Sequence, residues 1–379
     1  MSVSSVPSSD LLVRFGVLLE RGQPDLFEGA LLISALIDPS EDLEDARRRV
    51  ASLAARVAAA GAGERPFAAL RRVLFTEEGF SGDEESYDLP SNSSVARVVA
   101  RRRGMPITLS IVTVEVARQA GLRLTGVGLP GHFVVGGPDL PEGMFLDPFD
   151  GGALYEAAGL SRRLAAIFGS PIALPPEILQ PDPPRAILAR VLANLRRSYE
   201  RRNRWEEALS VLTFADALEP GDPALLRERG LLLVKCGRPE DAVPALERYV
   251  ETAEGEEAEA MLRLIESLRL RGEPPDAEAE PARRIFTLEE ARDLLPRVKD
   301  LTSDAVVRYG RLSGDLEEER ESVVREWMRA VRSLGVEIKG LWLVDFDSGA
   351  GYYCWKYPEP ALNHFHGYEE GFSGRLPLT

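Results

Sequence analysis

A histidine and an aspartate in the stretch GHFVVGGPDLPEGMFLDPFDGG have the types and the spacing of two members of a catalytic triad. His132 is one of only three histidines in the chain. The loop GPDLPEG centres near position 140, so in a β-hairpin the numbers of paired residues sum to about 280. Because 132 and 147 sum to 279, we expect His132 and Asp147 nearly opposite each other, with Cβ atoms about 5 Å apart if their side chains share a face. An aspartate at that distance can hold a histidine ring in one tautomer, as in nucleophile–His–Asp catalysis.

The same pair also fits a structural role, in which the histidine and the aspartate satisfy each other within a half-buried sheet. A histidine near an aspartate more often has this structural role than a catalytic one. The two residues alone do not decide between the roles. The decision depends on a nucleophilic atom within hydrogen-bond reach of His132.

The elements that must position this pair are a helix and three short strands. In PITLSIVTVEVARQAG, Pro106 suits the first position of a helix and Gly121 suits the position just after its end. The many β-branched residues would also suit a strand, but Leu109, Val112 and Val116 share one helical face, which favours a buried helix. The stretches LRLTGVGL, HFVVG and MFLDP are predicted strands.

A repeat of 34 residues follows in the middle of the chain. Ala208 in WEEALSVLTFADALEPGDP and Ala242 in PEDAVPALERYVETAEGEE are separated by this period, which is typical of tetratricopeptide (TPR) helix pairs. The segments 219–223 and 237–239 are predicted turns, and a closing helix is predicted around 261–268. The segment resembles a TPR module of about two repeats, and a plain helical bundle is the alternative.

The last segment opens with a helix signature. Thr287 followed by Glu290 is a capping box, and Gly335 suits the end of a second helix. Two β-rich stretches, VEIKGLWLVDF and GYYCWKY, come next, which predicts a helix hairpin on a small β element. From residue 284 onward the chain resembles a small bacterial domain family of unknown function, in which the pattern VDF…CW…E…H…GF.GR recurs.

The tail also holds residues that can ligate a metal. His364 and His366 point the same way on an extended segment, and with Cys354 and Glu359 or Glu369 they can bind a transition metal. No Cys-x-x-Cys pair accompanies them. We therefore favour an aromatic-rich β tail and predict no metal or cofactor.

Composition and breaks in the sequence limit the protein class and the domain number. Prolines at 170–185 and 271–283 predict three segments, at residues 1–170, 186–272 and 284–379. The net charge of -15 argues against nucleic-acid binding. No apolar run is long enough for a membrane span, and the first residues do not read as a signal peptide. With only two cysteines, a cytoplasmic location is expected.

Four motifs, in this order, carry a family resemblance: GFSGD, YDLPSNSSVARVVARRRGMPITLSIV, GVGLPGHFVV and FLDPFDGG. They resemble the SirB invasion-regulator-like family, whose members join a transglutaminase-like domain to TPR repeats. The resemblance covers about residues 10–270. It implies a papain-like fold with Cys-His-Asp chemistry, in which the cysteine lies near the start of the helix before the histidine strand. A helix N-terminus there lowers the thiol pKa.

The matching window, residues 106–110, contains no cysteine. Three interpretations follow, in order of preference. The site is a degenerate enzyme kept as a binding cleft, or Thr108 or Ser110 replaces the cysteine as an activated hydroxyl, or Cys354 is donated from another domain. Asn92 can shape such a cleft, although an asparagine in SNSS is usually a cap or turn residue.

Together these patterns predict an α+β protein. A transglutaminase-like (papain-like) domain is followed by α-helical TPR-type repeats and then by a helix hairpin plus a small β domain. The predicted function is a scaffold that binds a protein or peptide partner through the repeats. The alternative is an amide-bond hydrolase or acyl transferase that uses His132 and Asp147 with a hydroxyl nucleophile.

Overall fold

The computed structural model describes residues 9–20, 22–169, 173–271, 284–311, 317–368 and 375–378. The chain divides into two compact units. The first comprises residues 1–129, 133–157 and 176–275, and the second comprises residues 130–132, 158–175 and 276–379. None of the described helices is long and apolar enough to cross a membrane.

The N-terminal part combines helices with a small antiparallel sheet. Its helices are α1 (Ser9–Leu19), α2 (Leu26–Ile37), α3 (Leu43–Gly61), α4 (Pro66–Arg71), α5 (Val95–Arg101), α6 (Pro106–Gln119) and α7 (Ala157–Phe168). Two short strands, β1 (Ser81–Gly82) and β2 (Arg103–Gly104), pair in parallel. The sheet has the order β3 (Thr125–Leu129), β4 (His132–Gly136), β5 (Met144–Asp147), β6 (Ala153–Glu156). The predicted strands are confirmed, and β6 is an addition to them.

Helix α6 has the predicted limits. Pro106 stands in its first turn, and Gly121 follows its end at φ +86°. It packs against α3 and α5, and most of its residues are buried, on more than one face. The β-branched residues therefore do not oppose the helix here, because contacts on several sides supply the burial that a strand would otherwise provide.

The register between β4 and β5 differs by two positions from the one that would place His132 directly opposite Asp147. Val135 pairs with Leu146, so paired numbers sum to 281. The position opposite Asp147 is then Val134, and His132 lies two residues before Val134 along β4. Directly opposite residues share a face, and residues two apart on a strand do so as well, so His132, Val134 and Asp147 belong to the same face of the sheet.

Five helices form the repeat module: α8 (Pro184–Glu200), α9 (Trp205–Leu218), α10 (Pro223–Lys235), α11 (Pro239–Val250) and α12 (Glu256–Arg271). Successive helices pack against each other along the chain. Ala208 and Ala242, the residues that revealed the period, are completely buried. The predicted turns lie between α9 and α10 and between α10 and α11. The prediction of TPR-type repeats is confirmed.

Substitution of a glycine tests the close packing of α10 against α11. A Cβ at Gly230 would lie 2.4 Å from Leu246 Cδ2, whereas a Cβ at Gly16, inside α1, would meet nothing within 4 Å. Gly230→Ala is expected to lower the free energy of unfolding by about 1–2 kcal/mol, because the buried leucine must move. Gly16→Ala should instead raise it by about 0.5–1 kcal/mol through helix propensity. Urea unfolding followed by circular dichroism measures both, and a stabilised Gly230→Ala variant would contradict the close crossing.

The C-terminal part contains a helix pair and an antiparallel meander. Its elements are α13 (Leu288–Arg311), α14 (Glu317–Arg332), β7 (Glu337–Gly340), β8 (Leu343–Asp347), β9 (Tyr352–Lys356), β10 (His364–His366) and β11 (Leu376–Pro377), with sheet order β11-β10-β9-β8-β7. The capping box forms, since Thr287 N–H donates to Glu290 Oε2 at 2.8 Å and Glu290 N–H donates to Thr287 Oγ1 at 3.2 Å. Trp327 Nε1–H donates to Thr302 Oγ1 at 2.9 Å and joins the two helices.

Candidate functional site

His132 and Asp147 are both buried at strand ends. His132 opens β4 directly after Gly131, which turns the chain at φ +60°, and its side chain is 4% exposed. Asp147 closes β5 and is completely buried. The strand register gives the two residues one face of the sheet.

Asp147 has a backbone role that the sequence prediction missed. Its Oδ1 accepts the N–H groups of Phe149 at 3.0 Å and of Asp150 at 3.2 Å. This carboxylate therefore closes the turn DPFDGG, as aspartates commonly do in turns. The DPFDG sequence is the signal that would have revealed it.

Thr108 is held by backbone groups at the start of α6. Its completely buried hydroxyl lies 2.9 Å from Asn92 O and 3.1 Å from Met105 O, and donates to these two carbonyl oxygens. A hydroxyl whose proton is committed to a carbonyl is not hydrogen-bonded to a general base. This arrangement braces the N-terminus of α6.

Ser110 differs from Thr108 in lacking a partner. Its Oγ is buried and has no hydrogen-bond partner among the described residues. A buried hydroxyl without a partner is costly. It also has no open path to a substrate in this structure, because the residue is completely buried.

Asn92 connects the loop before α5 to the start of α6. Its Nδ2 donates to Ser86 O at 2.5 Å and to Tyr87 O at 3.2 Å, and its Oδ1 accepts from Arg101. Its backbone carbonyl also accepts from Thr108. The sequence suggested a cap or turn residue here. The hydrogen-bond network shows that Asn92 satisfies groups on three neighbouring segments.

Neither cysteine has the depressed pKa of a catalytic thiol. Burial, and then the negative charge of Glu206, raises the pKa of Cys236 to about 11. Burial and the negative charge of Asp345 also raise the pKa of Cys354. Both thiols are therefore protonated near neutral pH, and the thiolate is the nucleophilic form.

Comparison with known protein families identifies the first domain. Residues 43–193 match the model of the transglutaminase-like superfamily. The first domain is transglutaminase-like. Residues 195–269 match a tetratricopeptide repeat family, and residues 308–378 match an uncharacterized conserved protein family (DUF2203).

Several curated proteins are similar to part of this chain. A UPF0162 protein of Xylella fastidiosa is 39% identical over 188 residues, which cover 48% of this chain and 66% of the relative. A UPF0162 protein of Vibrio cholerae is 28% identical over 246 residues, covering 63% of this chain and 90% of the relative. The mouse F-box only protein 21 is 37% identical over 82 residues, covering 22% of this chain and 13% of the relative. No solved structure matches.

These similarities support the domain composition of the chain. The chemistry is inferred from the residues of the site itself. The chain spans just under two thirds of the Xylella relative's length. Residues 106–110, the window in which the family resemblance implies a cysteine, contain the hydroxyl residues Thr108 and Ser110 and no cysteine. The structure places Thr108 and Ser110 in that window on a buried helix.

Proposed function

We propose that this chain is a non-catalytic transglutaminase-like/TPR protein that acts as a cytoplasmic scaffold for a protein or peptide partner. The observation that carries the proposal is the state of the two hydroxyls at the start of α6. Both are completely buried, and Thr108 donates to backbone carbonyls. Nucleophilic catalysis needs an activating base in contact with the hydroxyl and room for the substrate.

The repeat helices supply the binding function in this proposal. Helix α8 packs against α2 and the turn at residues 90–93, and a Cβ at Gly29 of α2 would lie 2.6 Å from Leu188 of α8. The first helix of the module is therefore covered by the transglutaminase-like domain, and a partner must use the later helices. Leu262 on α12 is 51% exposed and offers an apolar contact there.

Peptide selection tests the binding role. Peptides selected against the full chain from a random phage-displayed library are expected to bind Leu262→Asp at least about tenfold more weakly, since a hot-spot contact is worth about 2 kcal/mol or more and about 1.4 kcal/mol corresponds to tenfold. Val13→Asp, on α1 and 62% exposed, is the matched control and should leave binding unchanged. Equal binding by all three proteins would remove the repeats from the proposed role.

The alternative function is an amide-bond hydrolase or acyl transferase. It is favoured by the common sheet face of His132 and Asp147 and by the hydroxyl of Ser110, which has no hydrogen-bond partner among the described residues. In it, His132 is the general base, Asp147 orients its ring, and Thr108 or Ser110 attacks after the helix start opens.

Covalent probes separate the two functions. Serine-directed fluorophosphonate and cysteine-directed acylating probes are expected to leave Thr108 and Ser110 unmodified, because neither hydroxyl is accessible. Peptide mass spectrometry gives the site of any adduct. An adduct on either residue that disappears in His132→Ala, with circular dichroism unchanged, would establish the hydrolase function in place of the scaffold.

A further inference from the structure

Four potential metal ligands, an aspartate, a cysteine and two histidines, share one face of the C-terminal sheet. In the register, Asp345 of β8 is opposite Cys354 of β9, and Cys354 is opposite His364 of β10. His366 lies two residues beyond His364 on the same strand. Because directly paired residues and residues two apart share a face, all four side chains belong to one side of the sheet.

The ligand atoms of three of these residues converge. One carboxylate oxygen of Asp345, Sγ of Cys354 and one ring nitrogen of His366 all lie within 4.8 Å of one another. The three residues are 1%, 1% and 3% exposed. His364 is placed differently, since its Nδ1 lies 3.8 Å from Glu359 Oε1. The converging set therefore contains Asp345, which the sequence prediction missed, in place of His364.

The hydrogen bonds of His366 fix which ring nitrogen faces the cluster. Nδ1 lies 2.8 Å from the carbonyl oxygen of Gly367, which only accepts, so Nδ1 carries a hydrogen. Nε2 then faces Asp345 Oδ2 at 3.0 Å. Two lone pairs repel each other at this distance, so a hydrogen or a metal ion must lie between Nε2 and Oδ2. A backbone carbonyl on the opposite nitrogen is the usual support of a metal-binding histidine.

A proton satisfies this cluster less completely than a metal ion. With a proton on Nε2, Asp345 Oδ1 stays buried without a hydrogen-bond partner among the described residues. The thiol of Cys354 then also stays protonated and offers the carboxylate of Asp345 only a weak S–H donor. A divalent ion with one carboxylate, one thiolate and a neutral imidazole has no net charge, as the protonated cluster also has none, and in addition it bonds directly to the sulfur.

We propose that Asp345, Cys354 and His366 form a zinc site. A thiolate, an imidazole and a carboxylate are the ligand types that zinc accepts, and the thiolate disfavours magnesium and calcium. Three protein ligands leave the fourth tetrahedral position for water or a small external ligand. As zinc binds, the Sγ–H bond of Cys354 and the Nε2–H bond of His366 break, and both protons pass to the solvent.

Cobalt binding to the full chain, purified without an affinity tag and stripped with a chelator, tests the site. We expect one Co²⁺ per chain, with the near-ultraviolet charge-transfer band of a sulfur–cobalt bond and the visible bands of a tetrahedral ion. Zn²⁺ should displace the Co²⁺ and raise the melting temperature. Cys354→Ser should lose the sulfur band, and His366→Ala should weaken binding more than about 100-fold, since even the outer partners of a metal ligand contribute about 10–100-fold.

Two matched controls make the result specific. His364→Ala removes a histidine from the same strand and face, and Cys236→Ser removes the other thiol, so both should keep full stoichiometry and the sulfur band. Circular dichroism shows that each variant is folded. Sub-stoichiometric Co²⁺, a sulfur band that survives in Cys354→Ser, or a loss in His364→Ala equal to that in His366→Ala would overturn the assignment. In the first case the cluster is an imidazolium–carboxylate pair.

Discussion

Replacing Gly137 by alanine is expected to lower the free energy of unfolding by about 2–4 kcal/mol, combining strain at positive φ with overpacking. Gly137 follows β4 at φ +139°, and a Cβ there would lie 2.5 Å from the carbonyl oxygen of Arg123 and 2.9 Å from the α-carbon of Leu124. Both atoms belong to the backbone, so no side-chain rotation relieves the contact. Urea unfolding of the full chain, followed by circular dichroism, measures the loss.

Gly143, at the other end of the same loop, is the matched control. Its φ is +71°, but a Cβ there would meet nothing within 4 Å. Gly143→Ala is therefore expected to lower the free energy of unfolding only through the backbone strain at positive φ, by about 1 kcal/mol. The difference between the two variants isolates the approach of Gly137 to the segment before β3. Equal losses would mean that this approach does not constrain the hairpin that carries His132 and Asp147.

Asn92→Ala is expected to lower the free energy of unfolding by about 2–4 kcal/mol, because Asn92 is completely buried and several partly buried groups lose their partner at once. The amide donates to the carbonyls of Ser86 and Tyr87 and accepts from Arg101. Alanine cannot replace any of these bonds. Urea unfolding again gives the loss, and retention of wild-type stability would show that the network does not brace α6.

Asn92→Asp separates the contribution of the amide donor of Asn92 from that of its carbonyl acceptor. Aspartate keeps an acceptor for Arg101 but brings a carboxylate next to two carbonyl oxygens, so we expect no recovery over alanine. Asn194→Ala is the control, since that half-buried side chain accepts a single bond, from Arg197 at 2.7 Å. Its loss should be within about 0.5 kcal/mol, as for most surface changes.

The hydrogen bonds of Asn92 and Asp147 are relevant to the function of the transglutaminase-like domain. The carbonyl of Asn92 accepts the hydroxyl of Thr108, and Asp147 accepts two backbone N–H groups in its turn. In the proposed scaffold, Thr108 and Asp147 lie where the family resemblance implies catalytic residues, and their hydrogen bonds stabilise loops. The same groups would have to exchange partners before any reaction at Thr108, which the covalent probes detect.

Local patterns in the sequence determined most of the secondary structure. Pro106 and Gly121 set the limits of α6, the spacing of Ala208 and Ala242 gave the helical repeats, and Thr287 with Glu290 marked the start of α13. Each of these signals acts over one element or one repeat, because caps, turns and periodicity depend on neighbouring residues. The strand β6 was missed, since ALYE is short and carries little alternation.

Tertiary structure decided which side chains meet. The hairpin pairing predicted His132 and Asp147 close together on one face, but Asp147 is opposite Val134 and not His132, because the conformation of the loop from Gly137 to Gly143 sets the pairing. Asp345 joined Cys354 and His366 through strand pairing, and Asn92 met Ser86, Tyr87 and Arg101 through folding of separate segments. Such contacts depend on how elements pack in space, and no periodicity within a single chain segment encodes that.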